Sequence, residues 1–228
     1  MTPPIVSPSA SIIHSPDSWL SAVRSQRVIA VIRSPNLELG VQMAQSMAAA
    51  GLRLIEITWD SDRPVELITT LRAILPHCWI GAGTLLTLTD LQTAIAAGAQ
   101  FLFSPHLNLA LVEAAVSQYV PIVPGALTPS EIVAAWQSGA TCVKVFPVQS
   151  MGGADYIRHL RSPLGQIPLI PTGGVTLANA PEFLQAGAIA VGLSSQLFPR
   201  EAIVTGKWAE ITSRAAGLLQ SLQADPLA

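Results

Sequence analysis

The sequence predicts a parallel α/β fold, a (β/α)8 TIM barrel preceded by a short N-terminal helix. Three observations carry this. Short apolar runs alternate with helix-length segments eight times along the 228 residues, and strict strand–helix alternation builds a parallel sheet covered by helices. One helix ending recurs at Ala50-Gly51-Leu52-Arg53, Ala97-Gly98-Ala99-Gln100, Ser138-Gly139-Ala140-Thr141 and Ala186-Gly187-Ala188-Ile189, about 45 residues or two strand–helix units apart. Half of the chain is hydrophobic and 11% is charged, with mean hydropathy +0.48, which suits strands buried on both faces. An open doubly wound sheet is the alternative; it needs a glycine-rich turn after its first strand, and Ser34-Pro35-Asn36 is not one.

Residues 1–15, rich in proline and serine, read as a mobile tail, and residues 16–228 as one domain. Pro16-Asp17-Ser18 starts a short helix to about Arg24, and 27–33 is the first strand. Asn36 caps a helix that Gly51 ends, and 53–58 is the second strand. Pro64 suits a first helical turn, and its helix runs to Leu75. The third strand is 78–84 and its helix runs from Thr89 to Ala97. Residues 100–103 and 120–124 are the fourth and fifth strands, each followed by a helix, from Asn108 to Gln118 and from Pro129 to Ser138. The sixth strand is 141–147, with a helix from Ala154 to Leu160. The seventh is 167–170, with a helix from Leu177 to Gln185, and the eighth is 188–192. A last helix spans Ala209 to Leu222.

Composition narrows the function classes. A net charge of -2 with scattered arginines gives no basic stripe for nucleic acid. No run reaches the ~18 apolar residues of a membrane span. Cys78 and Cys142 lie in separate apolar strands without metal-ligand spacing and read as reduced core thiols. The start has no charged region leading into an apolar run, so no signal peptide is read. A cytoplasmic location is expected, and neither a metal nor a cofactor.

The sixth strand carries one of only two lysines, Lys144. Alternation puts Cys142, Lys144 and Phe146 on one face. At pH 7 an ordinary lysine, pKa about 10.4, is the free amine in roughly one molecule in a few thousand. Apolar burial lowers that pKa by up to about 3–5 units and yields an amine able to attack a carbonyl. A lysine snorkelling from the strand end, or paired with a buried carboxylate such as Glu56, remains open. Other polar residues gather at the same strand ends, where enzymes on this barrel work: Arg33, Glu56 and Thr58, Thr84, Ser104-Pro105-His106 and Gln149. Each alone has a bland account as a solvated end or turn; their shared placement points to a site. After the seventh strand comes Pro171-Thr172-Gly173-Gly174-Val175, and after the eighth Gly192-Leu193-Ser194-Ser195. Glycine turns let backbone amides approach an anion and serine adds donors, in the two loops where this barrel often holds phosphate.

These stretches resemble the 2-keto-3-deoxy-6-phosphogluconate (KDPG) aldolase family, which also includes 4-hydroxy-2-oxoglutarate (KHG) aldolase. The matching segments are Leu54-Ile55-Glu56-Ile57-Thr58, Gly81-Ala82-Gly83-Thr84, Gly98-Ala99-Gln100-Phe101 with Ser104-Pro105, Ile122-Val123-Pro124-Gly125, Val143-Lys144-Val145-Phe146-Pro147 and Pro171-Thr172-Gly173-Gly174, in family order from about Arg27 to Phe198. The resemblance implies a class I aldolase with Lys144 as Schiff-base lysine and Glu56 as general acid/base. Arg33, Thr84, Ser104, Pro105, Phe146 and Thr172 would bind a 2-keto acid, and Gly173, Gly174, Gly192 and Ser194 its phosphate. It also implies a homotrimer that needs no metal. Departures stand beside the match. Many members carry arginine where this chain has Asp60, and a carboxylate there would repel a keto acid unless Arg33 or Arg63 compensates. His106 replaces a common glycine, Gln149 a glutamate of some members, and Gly192-Leu193-Ser194-Ser195 a common Gly-Gly-Ser-Trp. Cleavage of KHG, decarboxylation of oxaloacetate, and a non-catalytic barrel binding a phosphorylated metabolite are the rival readings.

Overall fold

Strand and helix alternate along most of the computed structural model, which describes residues 15–223. The order is α1 (Pro16–Gln26), β1 (Val28–Ile32), α2 (Leu37–Ala49), β2 (Leu54–Thr58), α3 (Pro64–Ile74), β3 (Trp79–Gly83), α4 (Leu88–Ala96), β4 (Leu102–Phe103) and α5 (Leu109–Ser117). Then follow β5 (Ile122–Val123), β6 (Gly125–Ala126), α6 (Pro129–Gln137), β7 (Val143–Val145), a 3-10 turn (Val148–Met151), α7 (Ala154–Arg161), β8 (Leu169–Pro171), α8 (Ala180–Gln185), β9 (Val191–Leu193), α9 (Arg200–Val204) and α10 (Trp208–Gln223). Residues 1–14 of the expected tail lie outside the described residues; Ser15 is the N-cap of α1.

Local chemistry sets the boundaries. Asn36 Oδ1 accepts from the Leu39 N–H at 2.8 Å, and Thr87 with Asp90 and Thr128 with Glu131 form capping boxes. The recurring glycines Gly51, Gly98, Gly139 and Gly187 all take left-handed φ, between 93° and 99°. That conformation ends a helix and turns the chain directly into a strand, and it excludes a Cβ at little cost only for glycine.

All strand pairings are parallel, but they fall into two sheets: six strands in the order β5-β4-β3-β2-β1-β9, and three in the order β6-β7-β8. The expected single eight-stranded sheet is corrected to a curled six-stranded half-barrel and a second, three-stranded sheet. Proline explains one break. Pro124 has no N–H: β5 stops before it, inside the expected strand 120–124, and β6 begins just beyond that strand, while the Pro124 carbonyl still accepts from Lys144 N–H at 3.0 Å. At the other junction β8 ends in Pro171. There the sheets meet through the Thr172–Gly192 bridge and an Ile189-to-Leu169 hydrogen bond of 3.1 Å.

Alternation along the strands makes two apolar layers. One layer packs the outer faces of the strands under the helices. The other lies on the inner faces: Ile29, Leu54, Phe101, Phe103, Val123, Cys142, Ile170 and Ala190, closed from below by Trp19 and Val23 of α1. Trp19 is fully buried against Phe101 and Phe103, with ring centroids 5.3 and 6.4 Å away. Gly81 admits Phe101, whose ring lies 2.4 Å from where a Cβ would stand. The helix α1 therefore plugs the N-terminal end of the strands, and inward positions nearer their C-terminal ends are left for the polar residues. Trp19→Ala is expected to destabilise the fold by about 3–5 kcal/mol, measured as a lowered urea midpoint at constant m-value.

Candidate active site

One cavity of about 310 Å³ opens at the C-terminal ends of the strands, toward the small end of the range for metabolite sites. Its wall includes Arg33, Glu56, Thr58, Thr84, Pro105, Lys144, Phe146, Thr172, Gly173, Gly174, Gly192 and Ser194. Every site residue expected from sequence is thus brought to it except Ser104. That side chain is buried, and its hydroxyl donates to the His106 carbonyl at 2.8 Å, which shapes the turn that presents Pro105. Gly125 lets this turn approach, since a Cβ there would stand 2.3 Å from the Pro105 carbonyl. His106 is exposed and does not line the cavity.

Lys144 and Glu56 are both buried, and both face this cavity. Among the described residues no nitrogen–oxygen contact within 4 Å joins them, so the two groups are not consumed in a mutual ion pair. Burial pushes the Lys144 pKa down; the Glu56 carboxylate opposes this and Arg33 adds to it. Burial pushes Glu56 up, against the pull of Lys144 and Arg33. Both groups are thereby moved toward their neutral forms. The Lys144 ammonium position lies 4.8 Å from the Phe146 ring centroid and 6.0 Å from that of Phe103, which floors the site. Glycine makes room for the carboxylate: a Cβ on Gly83 would stand 1.7 Å from Glu56 Oε1. That role escapes a reading of residue types, although the register Thr58–Gly83 follows from the inward alternation of β2 and β3.

Around this pair the wall carries open donors. The hydroxyls of Thr84, Thr172, Ser194 and Ser195 have no protein partner among the described residues, nor do the N–H groups of Gly173, Gly174, Ser194 and Ser195. Gly173 and Gly174 take φ of 85° and 90°, and successive glycines in such turns aim amides at an anion. Gln149 backs this turn, its Cβ 2.2 Å from where a Gly174 Cβ would be. Thr84 also takes a left-handed φ, 60°, an outlier for a β-branched residue and a form of strain that clusters at functional sites.

Asp60 departs from the expected repulsion. Arg33 Nε donates to its Oδ2 at 2.8 Å. Partial burial alone would raise the Asp60 pKa, but the Thr58 hydroxyl and Arg33 hold it below the usual range. Arg63 is directed elsewhere, to Asp62, Glu66 and Glu38. Among the described residues no cluster of His, Cys, Asp and Glu could hold a metal ion, and no helix is long and apolar enough to cross a membrane.

Comparison with known proteins identifies the family. Residues 20–214 match the family model for KDPG and KHG aldolase. The chain is 34% identical over 188 residues to 2-dehydro-3-deoxy-phosphogluconate aldolase of Dickeya dadantii, covering 82% of this chain and 88% of that protein. It is 33% identical to the KHG/KDPG aldolase of Escherichia coli over the same shares. A Legionella pneumophila KDPG aldolase solved with pyruvate as a covalent carbinolamine superposes with TM-score 0.81 at 28% identity, covering 87% of this chain and 97% of that one. A Zymomonas mobilis KDPG aldolase solved with 3-phosphoglycerate also reaches 0.81 at 28% identity, covering 91% and 97%. These likenesses place the chain among the aldolases, which are carbon–carbon lyases. More narrowly, it belongs to the KDPG and KHG aldolase family.

The two buried charges have a stability consequence. A lysine with depressed pKa contributes its full stability only above its ordinary value, 10.5, and loses it as pH falls through the folded value. A glutamate with raised pKa contributes fully only below 4.5 and loses that as pH rises through the folded value. At pH 7 both groups therefore penalise folding. Replacing the pair together, Lys144→Met with Glu56→Gln, is expected to raise the thermal midpoint at pH 7 by at least about 2 °C. A lower midpoint in calorimetry would contradict the burial account.

Proposed function

We propose that the protein cleaves KDPG to pyruvate and glyceraldehyde 3-phosphate through a Schiff base on Lys144. The observation that carries this is a buried lysine and a buried carboxylate facing one cavity without an ion pair between them. Burial enlarges the fraction of Lys144 present as free amine. The amine adds to the C2 ketone to give a carbinolamine, which loses water to give an iminium. Glu56 in its carboxylate form, made a stronger base by burial that raises its pKa, takes the C4 hydroxyl proton directly or through one water. The C3–C4 electron pair moves into the iminium, the aldehyde leaves, and an enamine of pyruvate remains. Protonation at C3 restores the iminium, and one water returns pyruvate and free Lys144, so the water lost earlier is balanced.

The wall divides between the two ends of this substrate. Arg33, Thr84, Pro105, Phe146 and Thr172 lie on the keto-acid side, with Ser104 acting through its turn. Gly173, Gly174, Gly192 and Ser194 offer the glycine turns and open donors suited to phosphate. The Legionella enzyme's pyruvate carbinolamine and the Zymomonas enzyme's 3-phosphoglycerate support the two halves of this reading. The two sheets are read as one closed (β/α)8 barrel, joined at Pro124 and at the Thr172–Gly192 bridge; of the single domain read over 16–228, residues 224–228 lie outside the described residues. A cytoplasmic homotrimer is the assembly the family resemblance supports. KHG cleavage on the same lysine is the second reading, favoured by the E. coli relative's double name. The non-catalytic reading loses its motive, because the Asp60 carboxylate is engaged by Arg33.

A coupled assay of pyruvate release tests this. Wild type is expected to turn over KDPG, Lys144→Ala to lose about a thousandfold or more in kcat, and Glu56→Gln about 10²–10⁴-fold. Ser194→Ala is expected to raise KM for KDPG about 3–10-fold and to leave KHG unaffected. Equal effects on both substrates would remove the phosphate assignment, and no cleavage of either would sink the reading.

A further inference from the structure

We propose that Asp60 is a positioning residue: it grips the Nε edge of Arg33 so that the guanidinium presents its two terminal amino groups to the cavity as a fork for a substrate carboxylate. The inference rests on the reading of the site as one for 2-keto acids and assigns Asp60 a role within it. Arg33 Nε donates to Asp60 Oδ2 at 2.8 Å, while neither Nη1 nor Nη2 has a protein partner among the described residues. Arg33 lines the cavity and Asp60 does not. The arginine is thus held from behind and open in front, and two parallel N–H groups match a carboxylate in bidentate fashion.

Asp60 is itself placed by a tied loop. Ser34 N–H donates to Ser61 Oγ at 3.1 Å, Asp62 N–H to the Ser34 carbonyl at 2.9 Å, and Trp59 N–H to the Gly83 carbonyl at 2.7 Å. The Ser61 and Thr58 hydroxyls lie 3.2 Å apart. The loops after β1 and β2 are therefore tied to each other and to the end of β3, and the carboxylate that orients Arg33 is held relative to β2, which carries Glu56. Both partners of the pair are more than half exposed, where an ion pair adds little to stability. Orientation is the effect left for it to exert, and a preorganised side chain binds better because it is not ordered at the moment of binding. Asp60 also cancels charge at the cavity edge. Removing only its charge therefore favours an anion, whereas removing its hydrogen-bond acceptor frees the arginine, and the two effects have opposite signs.

The test is pyruvate affinity by titration calorimetry on the full chain, with KDPG cleavage read separately. Asp60→Ala is expected to weaken pyruvate binding about 3–10-fold. Asp60→Asn, which keeps an oxygen acceptor for Nε, stays within about twofold of wild type or binds tighter. In an Arg33→Ala background, Asp60→Ala has no further effect. Tightening by both Asp60 variants, no change in Asp60→Ala, an Asp60→Ala loss that persists without Arg33, or no pyruvate binding by the wild type would overturn the proposal. Wild-type pyruvate binding with the expected variant pattern but no KDPG cleavage would leave the clamp standing and remove only the proposed reaction.

Discussion

Two ionisable side chains sit where water has been largely removed, and most of the structure serves to keep them there. An ammonium and a carboxylate in an apolar interior each favour their neutral form, and each costs stability at neutral pH. Lys144 is inward on β7 because strand alternation puts it in line with buried Cys142. Glu56 is inward on β2 for the same reason, above buried Leu54. What keeps water from entering beneath them is the apolar layer closed by Trp19 and Val23 of α1, with Phe103 as its upper surface. Without that plug the strand interior would be open at its lower end, and the burial that lowers the Lys144 pKa would diminish.

The same alternation distributes the chemistry. On β1 the inward series Ile29, Val31, Arg33 passes from core to cavity wall, and on β9 and its following loop Ala190, Gly192, Ser194 does likewise. Small residues decide where large ones fit. Gly83 yields the space that the Glu56 carboxylate occupies, and Gly81 that of Phe101. Gly173 and Gly174 line the cavity in left-handed turns, with no side chain to fill it and N–H groups that have no protein partner among the described residues. Arg33 adds a positive charge to the cavity wall, with Asp60 paired to it.

Element type and order were legible because most strands are short, largely apolar runs and many helices have a chemical start or stop. The four glycines of the repeat give the phasing, and all four adopt the left-handed turn their position requires. Lys144, Glu56 and the glycine turns were legible as polar or small exceptions in apolar surroundings. The division into two sheets was less so, since it depends on which carbonyl and amide pairs remain after Pro124 and Pro171 withdraw their N–H groups. The direction of the Ser104 side chain was not legible: its hydroxyl turns to the His106 carbonyl, a local bond that residue type does not distinguish from a ligand contact. Sequence left Arg33 and Arg63 both open as partners of Asp60; the choice of Arg33, 27 residues away, depends on the tied loops that bring the two together.

Borohydride reduction in the presence of pyruvate, followed by peptide mass mapping, tests the central claim most directly. An amine depressed by burial and facing the cavity should give a stable pyruvate adduct on Lys144 at neutral pH, with Lys207 unmodified. A folded protein that forms no adduct, or forms it equally on both lysines, would contradict the account that burial makes Lys144 the nucleophile.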